Sequence, residues 1–220
     1  MKVEKEKERG MDKEVWDKLY GRSEPWSGVS KIVDVAVTLF SPQSVLDIGA
    51  GRGDFLFYFE KYIPSAGIDI SRWCIDHKFC KSEILHANAS SLPFQDKSFS
   101  LSIALDLLEH LTLDHLPLAL KEIRRVTKKC IILLPSVIQW HENECVADDP
   151  SKDKAGHLIF KHDDWWISTI AHILDPEFFL DIKNSVNFLS ILNRQGLYLQ
   201  NWKHLEIWRK NNECKSEYRN

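Results

Sequence analysis

The residues best placed to do chemistry fall in two stretches. The first is Ser44-Val45-Leu46-Asp47-Ile48-Gly49-Ala50-Gly51-Arg52-Gly53-Asp54-Phe55, where an apolar run of strand length meets an acid, three alternate glycines and then a helical pattern. Glycines at 49, 51 and 53 let the backbone take positive φ and put no Cβ between the turn and a ligand, and the helix that follows offers free N–H groups. Such a turn holds a small polar ligand against main chain. A dinucleotide fingerprint needs Gly-x-Gly-x-x-Gly; here Asp54 stands where its last glycine belongs, so that reading loses ground. The second stretch gathers His141, Glu142, Glu144, Cys145, Asp148, Asp149, His157, His162 and Asp163 in a short span. Its spacing matches no zinc pattern: there is no His-Glu-x-x-His and no cysteine pair. The default is a solvated acidic loop with no metal assigned, and an Mg²⁺ held by Asp148 and Asp149 is the alternative.

Positioning these residues requires a sheet. An amphipathic pattern (Val15, Trp16, Leu19, Tyr20) is broken by Gly21, Pro25 and Gly28. Ser30 is expected to cap a helix whose face is Ile32, Val35, Ala36, Leu39 and Phe40, stopped by Pro42. After the glycine turn, Phe55 to Tyr62 reads as a helix ending near Pro64, and Ala66 to Ser71 as a short strand. Asp69 lies twenty residues beyond Gly49, where a doubly wound fold brings a second-strand carboxylate to a nucleotide ribose; alternatively Asp69 is a helix cap, a role open to Ser71 as well. A helix over Trp73 to Phe79, a strand over Glu83 to Ala89, a strand over Leu101 to Asp106, a helix from Pro117 and a strand over Cys130 to Pro135 complete the alternation. Glu177 to Ile182 with Leu205 to Trp208 is preferred for the last two strands, over a register with Tyr198 to Trp202 as strand six.

At 220 residues, 44% hydrophobic and 28% charged, the chain fits one domain with a sizeable core. Residues 1–14 are a charged, frayed extension, 15–43 a helical lid, 44–135 a ligand-binding core and 136–184 a divergent substrate-side segment. Net charge is −3 with Lys and Arg spread along the chain, so a nucleic-acid partner is disfavoured. Five cysteines without a Cys-x-x-Cys pair, and an N-terminus without the apolar core of a signal peptide, point to a reduced, cytoplasmic setting. No apolar run reaches the ~18 residues of a membrane span. Trp26, Trp140, Trp165 and Trp166 lie outside the expected strands, as pocket floor or as plain packing. Monomer and homodimer are both open.

In order and spacing, several segments resemble the class I S-adenosylmethionine (SAM) methyltransferases of the methyltransferase type 11 kind. The Asp-x-Gly-x-Gly-x-Gly run resembles motif I, Gly67-Ile68-Asp69-Ile70-Ser71 resembles motif II, Ser91-Leu92-Pro93-Phe94-Gln95-Asp96-Lys97-Ser98-Phe99 resembles the segment after strand three, and Leu108-Glu109-His110-Leu111 matches the Leu-Glu-His-Leu signature. Asn88 and Ser100 depart from the family's usual Asp. The resemblance implies an α/β, Rossmann-like, doubly wound sheet of six parallel strands plus an antiparallel seventh. It implies SAM as cofactor, with S-adenosylhomocysteine as product. Asp47, Gly49, Ala50, Gly51 and Gly53 would surround the methionine part, Asp69 and Ile70 the ribose, Asn88 and Ala89 the adenine, with Asp106, Leu107 and Tyr20 closing the site. His110 is the candidate base by motif position, although a histidine that holds the loop's shape is the plainer reading; His157 is selected by a faint resemblance of the C-terminal part, with His141 and His162 as alternatives. The implied reaction is methyl transfer to a hydroxyl or amine of a small, sugar-like or secondary-metabolite acceptor. Methylation of protein or tRNA, and a SAM-binding regulatory protein without turnover, are the rival readings.

Overall fold

A computed structural model describes residues 20–127, 130–133, 156–159, 161, 163–174, 178–182 and 205–209. Strands β1 (Val45–Ile48), β2 (Ser65–Asp69), β3 (Glu83–His86), β4 (Leu101–Leu105), β5 (Cys130–Leu133), β6 (Phe178–Ile182) and β7 (Leu205–Arg209) form one sheet in the order β3-β2-β1-β4-β5-β6-β7. The first five are mutually parallel, and β7 runs antiparallel to β6. β1 is buried along its whole length and β4 likewise, as expected of apolar runs covered on both faces. The chain steps outward from β1 to β2 and β3, then returns to β4 on the other side. The C-terminal ends of β1 and β4 therefore border the crevice where such sheets bind ligands.

Helices α1 (Val29–Phe40), α2 (Asp54–Phe59), α3 (Arg72–Asp76), α4 (Leu116–Val126) and α5 (Asp163–Leu174) flank the sheet. The apolar residues of α1 pack with Val45, Phe59, Leu101, Ile103 and Leu105. α4 and α5 share the other main cluster, in which Leu116, Leu120, Ile123, Trp166 and Ile170 meet Leu46, Ile48 and Ala104. Each of these fully buried aliphatic side chains contributes about 1.5–3 kcal/mol of transfer free energy.

Several local expectations change. Ser30 is not a cap: it lies inside α1, Gly28 is the flanking residue, and Ser30 Oγ donates to the Ser27 carbonyl at 2.8 Å. Val29 and Val33 join Ile32, Ala36 and Phe40 on the buried face. The helix ends when Ser41 turns left-handed (φ 41°) and its N–H reaches the Val37 carbonyl, a step before the proline. α2 closes at Phe59 and α3 at Asp76, earlier than the apolar pattern suggests. β3 stops at His86 and β4 at Leu105, because the chain turns at Asn88 and at the left-handed Asp106. Asp163 is the first residue of α5 rather than its flanking cap. Trp166 is 2% exposed within the core, which makes it packing and not pocket floor. Ser100 does the work of an acid at the start of β4: its Oγ accepts the Gln43 and Ser44 N–H groups, both at 2.9 Å, and donates to the Ser44 carbonyl.

Candidate functional site

The glycine turn joins β1 to α2 and is left-handed at all three glycines, with φ of 81°, 54° and 79°. The Gly49 and Ala50 N–H groups both donate to the Ile68 carbonyl at 2.9 Å, which fastens the turn to β2. Two of the glycines have no room for a side chain: a Cβ on Gly49 would lie 2.9 Å from Leu107, and one on Gly53 would lie 2.5 Å from Cys80 Sγ. Gly51 is different, since a Cβ there would meet nothing within 4 Å. That open space adjoins Asp69, whose Oδ2 accepts the Gly51 N–H at 2.7 Å while Oδ1 accepts the Ser71 N–H at 2.7 Å. Asp69 is therefore not the cap of α3. Ser71 is, its Oγ accepting the Cys74 N–H.

Beneath the turn, Asp47 is 2% exposed and its Oδ2 has no hydrogen-bond partner among the described residues. Burial first, then the neighbouring Asp69 and Asp54, push its carboxyl well above the usual carboxylate range. A buried carboxylate with an unused oxygen under an open backbone cradle fits the methionine ammonium of SAM. On the crevice rim, Ile70 leaves 48% of its surface exposed next to Asp69, a flat apolar spot of the kind an adenosine covers. Asn88 lies past β3, but its Oδ1 already accepts both the N–H and the Oγ–H of Ser90, at 2.9 and 2.6 Å. With both lone pairs engaged, the side-chain NH₂ is the better group to meet a base. Ala89 is buried beside it.

Asp106 ends β4 with φ 49° and leads to Leu107, which packs over Gly49. Asp106 as a residue is exposed, but the protein packed around its carboxyl desolvates it and raises it above the usual carboxylate range. Next follows the single turn Leu108–His110. The Glu109 carbonyl accepts the Leu158 and Ile159 N–H groups, at 2.8 and 3.1 Å, so a segment far along the chain docks here. His110 Nδ1 lies 3.2 Å from the Gly156 carbonyl, and the His110 and His157 rings sit 4.8 Å apart. The two histidines singled out in the sequence thus come together, with the buried Glu109 as third member of the cluster. His141, Asp148, Asp149 and His162 lie outside the described residues, as do Trp16 and Trp140.

Three residues that the sequence reading passed over hold the N-terminal segment on the turn. Asp54 receives a two-pronged pair from Arg22, at 2.8 and 3.0 Å, and the Trp26 N–H at 2.6 Å. Arg52 donates to the carbonyls of Tyr20, Arg22 and His77 and lies 3.9 Å over the Phe79 ring. Tyr20 is half-buried, edge-on to Trp73 at 6.4 Å. The signal was present in the turn itself: an arginine between two glycines and an acid in place of the last fingerprint glycine.

Residues 46–133 match the family described as Methyltransferase domain. Among solved structures, a SAM-dependent methyltransferase of Archaeoglobus fulgidus aligns with 19% identity and a TM-score of 0.56, over 72% of each chain. A SAM-dependent methyltransferase of Thermotoga maritima gives 19% identity and 0.56 over 75% of each chain. The YcgJ protein of Bacillus subtilis gives 17% and 0.52, over 70% of this chain and 69% of its own. At these identities the likeness is one of fold. The chain spans 56% and 64% of the lengths of matched structures from Pyrococcus horikoshii and Anabaena variabilis. No curated protein matches the sequence.

Proposed function

We propose that the chain is a class I SAM-dependent methyltransferase that transfers a methyl group from SAM to a hydroxyl or amine of a small molecule, a reading supported by the match of residues 46–133 to the methyltransferase-domain family and by the shared fold. The observation that carries the reading is the open face of Gly51 beside the Asp69 carboxylate, above the buried Asp47. In this reading Asp47 balances the amino group of the methionine part, and the turn's backbone approaches its carboxylate. Asp69 accepts from the ribose hydroxyls after yielding part of its bond to Gly51. Ile70 covers the ribose–adenine edge, while the Asn88 amide and Ala89 meet the adenine. Tyr20, Asp106 and Leu107 complete the walls. Bound SAM supplies an electrophilic methyl on sulfur, so the protein's task is to orient an acceptor in line and exclude water.

For a hydroxyl acceptor a proton must leave, and the histidine pair at the end of β4 is the group positioned to receive it. His110 Nδ1 faces a carbonyl oxygen, so it carries the hydrogen and leaves the lone pair on Nε2. A small acceptor is favoured over protein or tRNA by the absence of a basic field in the sequence, whose net charge is −3. Among the described residues no helix is long and apolar enough to cross a membrane.

Calorimetric titration with SAM and S-adenosylhomocysteine tests the cofactor site. The wild type is expected to bind both at micromolar levels, and Asp69→Ala to lose at least tenfold, about 1.4 kcal/mol. Unchanged affinity in the variant, or no binding at all, removes the reading. Methyl transfer from labelled SAM to a panel of hydroxylated and amino small molecules then tests the acceptor class.

A further inference from the structure

We propose that Glu109, His110 and His157 bind a divalent first-row transition-metal cation. One ligand atom from each of the three lies within 4.8 Å of the other two. Around a metal with bonds of about 2.1 Å, tetrahedral ligands stand roughly 3.4 Å apart, so ordinary side-chain rotation closes the set. The backbone already holds the members together. His110 and Glu109 share one short turn, the Glu109 carbonyl takes the N–H groups of Leu158 and Ile159, and Gly156, left-handed at φ 78°, turns its carbonyl to His110.

The chemistry of the donors selects the ion. His110 Nδ1 donates to a backbone carbonyl, the arrangement that fixes the tautomer of metal-bound histidines and puts the lone pair on the opposite nitrogen. Glu109 is 3% exposed, and a carboxylate buried beside two imidazoles is stabilised by a cation between them. Two imidazole nitrogens and one carboxylate oxygen suit Zn²⁺, Co²⁺, Fe²⁺ or Mn²⁺ rather than Mg²⁺, which prefers an all-oxygen shell with several waters. Three protein ligands leave at least one position for water or for an oxygen of the acceptor. The site stands on these residues alone. It also bears on the methyl-transfer reading and to that extent rests on it: with the ion bound, the imidazole lone pairs go to the metal, and the proton of a hydroxyl acceptor would be lost from a metal-held oxygen instead of being taken by a histidine.

The test is a titration of the untagged, chelator-treated full chain with Co²⁺, read by visible absorption, followed by competition with Zn²⁺. One equivalent is expected to bind, with a ligand-field spectrum and no thiolate charge-transfer band. His157→Ala is expected to weaken Zn²⁺ at least about 30-fold and Glu109→Gln at least about tenfold. SAM affinity, measured in parallel, is expected to stay within about threefold in both variants, which shows that they fold and separates this proposal from the cofactor reading. The proposal is overturned by absence of binding, by a thiolate band, or by unchanged affinity in the variant that retains SAM binding.

Discussion

Gly53 carries two separable demands, and a double-mutant cycle can divide them. Its φ of 79° is costly for any residue with a Cβ, and that Cβ would stand 2.5 Å from Cys80 Sγ. The first demand costs about 1–2 kcal/mol for alanine, and the second, an overpacking term, about 1–3 kcal/mol. Gly53→Ala should therefore lose roughly 2–5 kcal/mol in urea denaturation. Cys80→Ala removes the offending sulfur and leaves Ile84 Cδ1, at 3.2 Å, as the tightest contact. In that background Gly53→Ala should cost only the conformational part, about 1–2 kcal/mol. The coupling between the two sites is then about 1–3 kcal/mol and favours the double variant, well outside the error of additive behaviour. The assay is the urea midpoint of all four proteins with the m-value held common. Strict additivity would refute the steric reasoning and leave backbone conformation as the sole reason for glycine here.

Two further outcomes follow from the turn. Arg52→Ala removes three carbonyl partners and a ring stack, and hydrogen exchange of amides in the 20–26 segment is expected to speed up at least about tenfold while β1 and β4 keep their protection. Asp47→Asn is expected to raise stability near pH 7 and to weaken SAM binding about tenfold or more. The sign follows from linkage: the folded state holds the Asp47 proton more tightly, so the charged form opposes folding above the ordinary carboxylate range, and the variant's advantage should vanish as pH falls to 4. Parallel urea midpoints at pH 7 and pH 4 check it, and an advantage that persists at pH 4 would contradict the electrostatic account.

The sequence was most legible where one physical signal dominated. β1 and β4 are mostly apolar runs, the glycine turn has its own spacing, and the helix expected from Pro117 is observed as α4. Boundaries were harder wherever a side chain competes for the backbone. Ser30 has the composition of a cap but lies inside α1, because apolar Val29 is fully buried and draws the helix start two residues earlier. Asn88 cuts β3 short by bonding Ser90, a local alternative invisible to periodicity. In the candidate site, the distance of Asp69 from Gly49 brought that carboxylate to the crevice of a doubly wound fold, whereas its bond to the Gly51 N–H was not legible. The meeting of His110 with His157, 47 residues apart, depends on a docking of backbone onto the Glu109 carbonyl that no local pattern encodes. Between β5 and α5 the sequence itself shows neither strong alternation nor a strong helical period, so no acceptor contact could be read there.

The clasp formed by Arg52 and Asp54 bears on how fast anything held by the glycine turn can leave. The atoms that fasten residues 20–26 belong to the turn itself, so the cover and the cradle are one mechanical piece. Opening breaks a partly exposed two-pronged ion pair and several charge-assisted bonds, together about 2–4 kcal/mol. The open form is then present roughly once in 30 to 1,000 molecules, and escape is slowed by the same factor. For a ligand held by the turn, a looser clasp should raise the dissociation rate, which makes exchange rate, rather than affinity alone, the quantity these two residues set.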